Sequence, residues 1–590
     1  MSLLNLTIPE YCDLTKKHKL KSFVLMPQAS EFTAALAHNR MGFSNEMVSS
    51  ESDSGSCIDA SMIDRDNRFV AGAKFFNYKQ LGALREGGEV SLFSKDHHGL
   101  LAAAFAFSSV YAMLRYCVRP ALPSTLGIHL IESPFGPFCL VSLPTSLSFF
   151  FGLLSDCVPI ATYRRKSYMI IGFVIAAFAL FGLTILSATV YAKKLSSKKT
   201  GPHFMYVFMT LIPVCIAGIV LLKVASEARI IELSQREPLR TRGSILINFL
   251  IFRTLVECFC TWITAAVLEY DAITKALSTR IHSTWIYGTL CIICLAGIPI
   301  IIYRTEEDAV HGNNYDRRYS EPDFSNIRGQ NIKRFFRMCH QRALWQVALF
   351  LAFAMATTSF KFGNAEYVLR TLVEYKRSAE MYVIGGRAMM KLAVMLAWKN
   401  WWMNNSWRWF VLYGFLFAAS VDLIRSLLVI YVGAVREEMF YYSVQILTGI
   451  PDAILCILAP VAAVELAESG LEGATSGFFQ SFRSIFSITT RALCQRMDNG
   501  VSVLRSVSAH TIPKLALLLC TAALINGIST VAIPLLPQQR LDAQQLRAFG
   551  GYTRSAPVVL YFTFFATFFL VLGLSIEAIT HMVHSSLARQ

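Results

Sequence analysis

The chain has 590 residues, 54% hydrophobic and only 16% charged, with a mean hydropathy of +0.46. So few charges cannot cover a soluble surface of this size, so the chain reads as a polytopic membrane protein. Its net charge of +16 collects in loops and tail, as membrane insertion requires, and gives no ground for nucleic-acid binding.

Residues 1–99 are mixed and polar, with Lys16, Lys17, Lys19 and Lys21 near the start and a Ser/Asp-rich patch from Ser49 to Asp64. They read as a largely disordered cytoplasmic tail with no secretory signal peptide. A membrane-spanning helix needs about 20 apolar residues. Scanning for that length finds Leu100 to Arg119, Phe138 to Val158, Tyr168 to Tyr191, Phe204 to Leu222, Ile245 to Leu268 and Trp285 to Tyr303.

Between the second and third of these, the apolar run ends at Asp156 and gives way to Arg164, Arg165 and Lys166 side by side. Short cationic loops stay on the cytoplasmic side, so this loop sets the face on which every other segment ends. The lysines Lys193, Lys194, Lys198 and Lys199 then fall on the opposite face, against the same rule. Gly152, Ser155, Asp156 and the Arg164–Lys166 cluster resemble the G-x-L-[AS]-D-x-x-x-x-[RK] loop between helices 2 and 3 of major facilitator transporters. The longer G-L-L-S-D-x-x-P-I-x-x-Y-R-R resembles the form of that loop in the folate–biopterin transporter family.

The fourth span ends in KVASEARIIELSQREP, which is similar to the V-A-x-E-A-x-x-x-E-L of protozoan-type members, with Glu227 and Glu232 in the acidic positions. A polar stretch from Arg304 to Arg342 separates two sets of spans. The second set runs Ala343 to Phe360, Met381 to Trp398, Trp409 to Val432, Phe440 to Val464, a more polar Glu472 to Leu493, and Ile512 to Leu536. Gly470, Glu472 and Gly473 resemble the G-x-E-G that opens helix 11 in the family. Ser148 and Phe149 where relatives tend to carry Lys-Pro, Thr162 for a Gly and Lys223 for an Asp mark a divergent member.

The resemblance implies an all-α major facilitator fold of two six-helix halves, 100–303 and 343–536. A central cytoplasmic loop, 304–342, joins them, and 537–590 holds a loop and a thirteenth apolar run, Val558 to Ile579. It also implies Gly152, Asp156, Arg164 and Arg165 as a conformational latch. The 14 cysteines lie mostly in apolar runs, without the spacing of a metal site or disulfide framework.

An ionisable residue inside a span costs about 2.5 to 3.5 kcal/mol on insertion scales, so it marks a cavity or a partner. Arg253 and Glu257 are four apart, Asp422 and Arg425 three apart, spacings that place each pair on one helix face, where mutual neutralisation and a substrate role are both open. Lys361, Arg387, Lys391 and Arg483 have no such partner, and the two lysines read as snorkelling from near helix ends. Arg387, Arg483 and Arg253 are the substrate-binding candidates, since Arg forks match the carboxylates of a folate. Glu257, Asp452 and Glu227 are the proton-coupling candidates, because burial raises a carboxylate toward the range a proton carrier needs.

The chain lacks G-x-x-x-x-G-K-[ST], H-E-x-x-H and G-x-S-x-G, and no enzyme, cofactor or metal is expected. The resemblance implies proton-coupled secondary transport of folate or biopterin across the bilayer, in the plasma membrane with a cytoplasmic N-terminus. A transporter of S-adenosylmethionine, or a non-transporting receptor on the same fold, are the alternatives.

Overall fold

The computed structural model describes residues 83–85, 87–126, 135–161, 163–195, 202–271, 276–307, 324–373, 380–500 and 511–587. Most of the N-terminal tail, including its basic cluster and its Ser/Asp patch, lies outside them, as do Lys198 and Lys199.

The first six long helices are α1 (His98–Leu126), α2 (Phe135–Cys157, with a 3-10 turn at Leu143–Leu147), α3 (Lys166–Leu195), α4 (Pro202–Ser234), α5 (Ser244–Val267) and α6 (Ser283–Arg304). A short antiparallel hairpin, β1 (Leu268–Asp271) with β2 (Ala276–Thr279), joins α5 to α6. The polar stretch that follows contains an amphipathic linker helix, Phe324–Met338. Then come α7 (Arg342–Thr358, continuing as Gly363–Leu372 after a 43° bend), α8 (Glu380–Ala397), α9 (Trp407–Tyr431) and α10 (Glu438–Leu466). The series ends with α11 (Glu472–Gly500), α12 (Ile512–Ile528, continuing as a 3-10 turn), a short helix Arg540–Phe549, and α13 (Ala556–Leu587).

Ten of these helices are long and apolar enough to cross a membrane, or eleven with the bent α7. The polar residues of α8 and α11, Arg387 and Lys391 on one and Gln480, Arg483 and Arg491 on the other, keep those two from reading as apolar. They are held instead by packing: α8 lies against α5 and α10, and α11 against α2, α7, α4 and α10.

Contacts among α1 to α6 form one group (α3 with α4 and α6, α1 with α5 and α6), and those among α7 to α12 another (α9 with α12, α7 with α11, α8 with α10). The two groups meet where α2 crosses α11 and α5 runs along α8. Lipid tails are as apolar as leucine, so close backbone approach carries much of such a contact. At the α2–α11 crossing a β-carbon on Gly152 would collide with the carbonyl of Gly473, and one on Gly477 with the carbonyl of Ser148. On the outer side of this crossing α13 lays Phe564 among Phe149, Phe478 and Phe482, with ring centroids 5.3 to 5.5 Å apart.

Candidate functional site

At the end of the bundle carrying the α2–α3 loop, called here the basic end, charged side chains join the two helix groups. Arg165 is fully buried. Its NH1 lies 2.5 Å from Asp156 Oδ1 and donates to Ser155 Oγ at 2.8 Å. Its Nε reaches Glu232 on α4 and its NH2 reaches Glu472 on α11, both at 2.9 Å. The other oxygen of Asp156 accepts the backbone N–H of Ala474 at 2.6 Å, so a carboxylate at the end of α2 caps the first turn of α11.

Arg164 donates to the carbonyls of Asp156 and Gly470, at 3.0 and 2.9 Å. Gly470 turns the chain from α10 into α11 at a φ of +90°, a conformation that favours glycine. Thus Gly152, Asp156, Arg164 and Arg165 all gather at the contact between α2 and α11.

Three further residues complete this end. Glu307 accepts the backbone N–H groups of Arg164, Arg165 and Lys166 at 2.6 to 2.9 Å, capping the start of α3. In the sequence it is only one of an acidic run, Glu306-Glu307-Asp308. Arg85, from the segment ahead of α1, pairs with Glu472 and donates its backbone N–H to the carbonyl of Gln235. Burial pulls its guanidinium down to about 10, against the pull of the Glu232 carboxylate. Arg242, ahead of α5, meets Glu465 on α10 at 3.1 Å and makes a second bridge between the groups. Burial and the neighbouring Arg165 likewise lower Arg164.

Midway along the bundle a second cluster forms. Arg253 and Glu257, four apart on α5, do not pair with each other. Arg253 pairs with Glu227 on α4, and Glu257 accepts from Lys391 on α8 at 2.8 Å. The expectation of a same-face pair is corrected here, because the two side chains face different neighbouring helices. Lys391, read as a snorkelling lysine, is likewise an ion-pair partner. Asp422 and Arg425 do pair, at 2.7 Å, and Glu366 on α7 joins them at 3.2 Å.

Glu227 also accepts from Gln480 on α11 and lies 3.9 Å from Lys223. Arg483 lies 3.3 Å from both Asp452 and the Cys456 thiol of α10. Arg387 goes elsewhere: its Nε donates to the carbonyl of Gln445 at 3.2 Å and its NH2 to Thr448 at 2.7 Å, where α10 is interrupted. Lys361 lines a small recess with Asp422, Thr448 and Asn526.

Asp452 is 58% exposed although Arg483 lies 3.3 Å from it, so this cluster is open beside α10. On α1, Phe107 and Tyr111 stack at 5.3 Å, with Lys223 5.3 Å and Arg253 5.7 Å from the Phe107 ring. The arrangement gathers cationic forks, a few carboxylates and an aromatic face between α1, α4, α5, α8, α10 and α11, the chemistry of a small-molecule site.

The family model of the BT1 family, the folate–biopterin transporters of major facilitator type, matches residues 135–546. The chain belongs to the BT1 family. Membership makes this BT1-family chain a multi-pass membrane transporter rather than an enzyme, with a small-molecule substrate and the lipid bilayer as its partners. No curated protein matches it.

Solved structures that match include the major facilitator transporter FucP in its outward conformation, at 12% identity over 74% of this chain and 97% of that one, TM-score 0.45. The human organic anion transporter MFSD10 (TETRAN) matches at 11% identity over 74% of this chain and 99% of its own, TM-score 0.47. A bacterial homologue of the human drug peptide transporters PepT1 and PepT2 matches at 11% over 75% and 99%, TM-score 0.46.

Proposed function

We propose that the chain is a secondary active transporter of folate- or biopterin-type pterin solutes, working by alternating access between two six-helix halves and coupled to protons. The observation that carries this reading is the charge of the central cluster. Four cations (Lys223, Arg253, Lys391, Arg483) gather there around three carboxylates, Glu227, Glu257 and Asp452, beside the stacked Phe107 and Tyr111. The surplus positive charge in a low-dielectric interior favours an anionic ligand, and aromatic faces favour a planar ring. A carboxylate-bearing pterin supplies both.

In this reading Arg253 and Arg483 hold the solute, while Arg387 steadies the interruption of α10 beside it. Glu227 is the favoured proton carrier, since it alone of the three carboxylates is shared by α4, α5 and α11. Its protonation would release Arg253 and Gln480 together and loosen the contact between the halves. The Asp156–Arg165–Glu472 network is the latch that holds the basic end shut. That end faces the cytosol of a plasma-membrane protein.

Uptake of labelled folate, biopterin and S-adenosylmethionine by cells expressing the chain tests this. Concentrative, pH-dependent uptake of folate or biopterin supports it. Uptake of S-adenosylmethionine alone overturns the pterin assignment, because a sulfonium cation suits this cluster poorly. Binding without flux in reconstituted vesicles makes the chain a receptor.

A further inference from the structure

Ser148 and Phe149, the two residues where α2 departs from the family pattern, both lie in the contact with α11. The 3-10 turn at Leu143–Leu147 interrupts α2 just ahead of them. α11 takes up backbone groups beside that turn: the Phe149 N–H donates to Ser481 Oγ at 2.8 Å, and the Ser481 hydroxyl donates to the carbonyl of Ser146 at 2.8 Å. Gly477 leaves room for the carbonyl of Ser148.

The Phe149 ring then enters a box walled by three other elements. Its centroid lies 5.2 Å from Phe335 of the linker helix, 5.3 Å from Phe478 of α11 and 5.5 Å from Phe564 of α13. Phe564 in turn meets Phe478 at 5.4 Å and Phe482 at 5.3 Å. All five rings are buried. Phe149 comes from the first helix group, Phe478 and Phe482 from the second, and Phe335 and Phe564 from the segments that flank the second group in the chain.

α13 also follows the seam between α2 and α11 away from the box. Phe568 meets Phe150 of α2 at 5.4 Å, and Glu577 meets Arg496 of α11 at 3.1 Å. At the far end of α2, a β-carbon on Gly136 would come within 3.1 Å of Met582 Sδ and 3.4 Å of the carbonyl of Ala578. α13 therefore touches both sides of the seam along its length. Parting α2 from α11 at the basic end means more than breaking the charged network: the Phe149 ring must also leave its box.

We propose that Phe149 and Phe564 are positioning residues of an uncharged latch, in which α13 straps the α2–α11 seam and holds the basic end shut. Lipid tails solvate a phenylalanine as well as protein does, so the box favours closure through ring geometry and close packing, not through removal from water. Unlike the Asp156–Arg165–Glu472 network, it holds whatever the protonation of those carboxylates. The latch rests on the alternating-access part of the reading above and on none of its assignment of solute or ion.

The test uses full-length protein in lipid nanodiscs, without solute. Spin labels replace Ile160 in the α2–α3 loop and Ser469 between α10 and α11, both exposed at the basic end. Pulsed electron–electron distance measurement then reads the populations with that end shut and open, and Asp156→Lys, which breaks the charged network, marks the longer distance. Phe149→Ala and Phe564→Ala should each raise the open-to-shut ratio about fivefold. Because the two rings act through one contact, the double variant should fall well short of the product of the single effects. Phe562→Ala and Phe569→Ala, on the face of α13 turned away from the bundle, should leave the ratio at its wild-type value.

A merely structural role would lower the thermal stability of the Phe149 and Phe564 variants without lengthening the distance, which overturns the latch. So does a double variant whose effect equals the product of the singles. If the Ala variants do not fold, Phe149→Leu and Phe564→Leu decide, since they keep apolar bulk and lose the ring: a wild-type ratio in both overturns the latch. A longer distance in Asp156→Lys but in neither phenylalanine variant removes the latch and leaves alternating access standing. No longer distance in any variant overturns both.

Discussion

The carboxylate of Asp156 accepts the backbone N–H of Ala474 at 2.6 Å, so the last turn of α2 caps the first turn of α11. The same carboxylate pairs with Arg165, which Glu232 and Glu472 also engage. One side chain therefore ties the approach of the helix groups at the basic end to the ion-pair network of a buried arginine.

Asp156→Asn keeps the size and can still accept one backbone N–H, but it removes the charge. Glu232 and Glu472 still hold Arg165, so the loss is the weaker cap on Ala474 and one of three carboxylates around the arginine, about 1–3 kcal/mol felt mostly by the closed arrangement. We expect the variant to reach the membrane in normal amount while maximal uptake falls at least about tenfold. Asp156→Lys places a third cation beside Arg164 and Arg165 and should abolish uptake. Wild-type uptake by the Lys variant would remove the latch assignment.

Gly152→Ala tests the same contact by sterics alone. Its β-carbon would strike the carbonyl of Gly473, a backbone atom that cannot rotate away. The expected result is separation of α2 from α11 at the basic end, read as faster labelling of a cysteine placed at Ser476 by a membrane-impermeant thiol reagent. Unchanged labelling would show that the approach of these helices carries no gating role.

How much of this was legible in the sequence depends on whether a residue's partner lies on its own helix. Apolar run length located the helices, and the motif from Gly152 to Lys166 located the contact at the basic end, because there the residues are neighbours in the chain. Partners on other helices left no such trace. The spacing of Arg253 and Glu257 pointed to a pair between themselves, yet Glu227 and Lys391 take their places, since each faces a different neighbour. Arg85 carried no signal at all: a single arginine in a polar flank looks the same whether it is solvated or, as here, paired with Glu472.

The Glu257–Lys391 pair, 2.8 Å long, joins α5 to α8 and so spans the two helix groups. Lys391→Glu leaves two carboxylates facing each other and should lower uptake at least about tenfold. The exchanged pair, Glu257→Lys with Lys391→Glu, should recover a substantial part of it. Uptake by the double variant no better than by the single one would mean that the residues act through separate partners.

Topology is open to direct measurement. Epitope tags in the segment before Leu100 and in the stretch between α6 and α7 should both be reached only from the cytosol. The apolar, largely exposed α13 should carry a tag joined after Gln590 to the opposite face. Tags before Leu100 and in the linker found on opposite faces would break the two-halves arrangement. A terminal tag in the cytosol would show that α13 does not cross.

The two arginines at positions 387 and 483 should part company when each is changed to lysine. Arg483 sends its NH2 to Asp452 and Cys456, while its Nε has no partner. A carboxylate ligand there would use the planar fork, which lysine lacks. Arg483→Lys should therefore raise the half-saturation concentration for folate several-fold while biopterin, without the carboxylate, is handled as before. Arg387 spends two of its donors on the Gln445 carbonyl and the Thr448 hydroxyl, bracing the interruption of α10. Lysine cannot reach both, and losing one hydrogen bond is worth about 0.5–1.5 kcal/mol, so Arg387→Lys should lower thermal stability and leave folate half-saturation nearly unchanged. If Arg387→Lys weakens folate selectively and Arg483→Lys does not, the solute lies against α8 and the α10 interruption, and the assignment of the two residues is reversed.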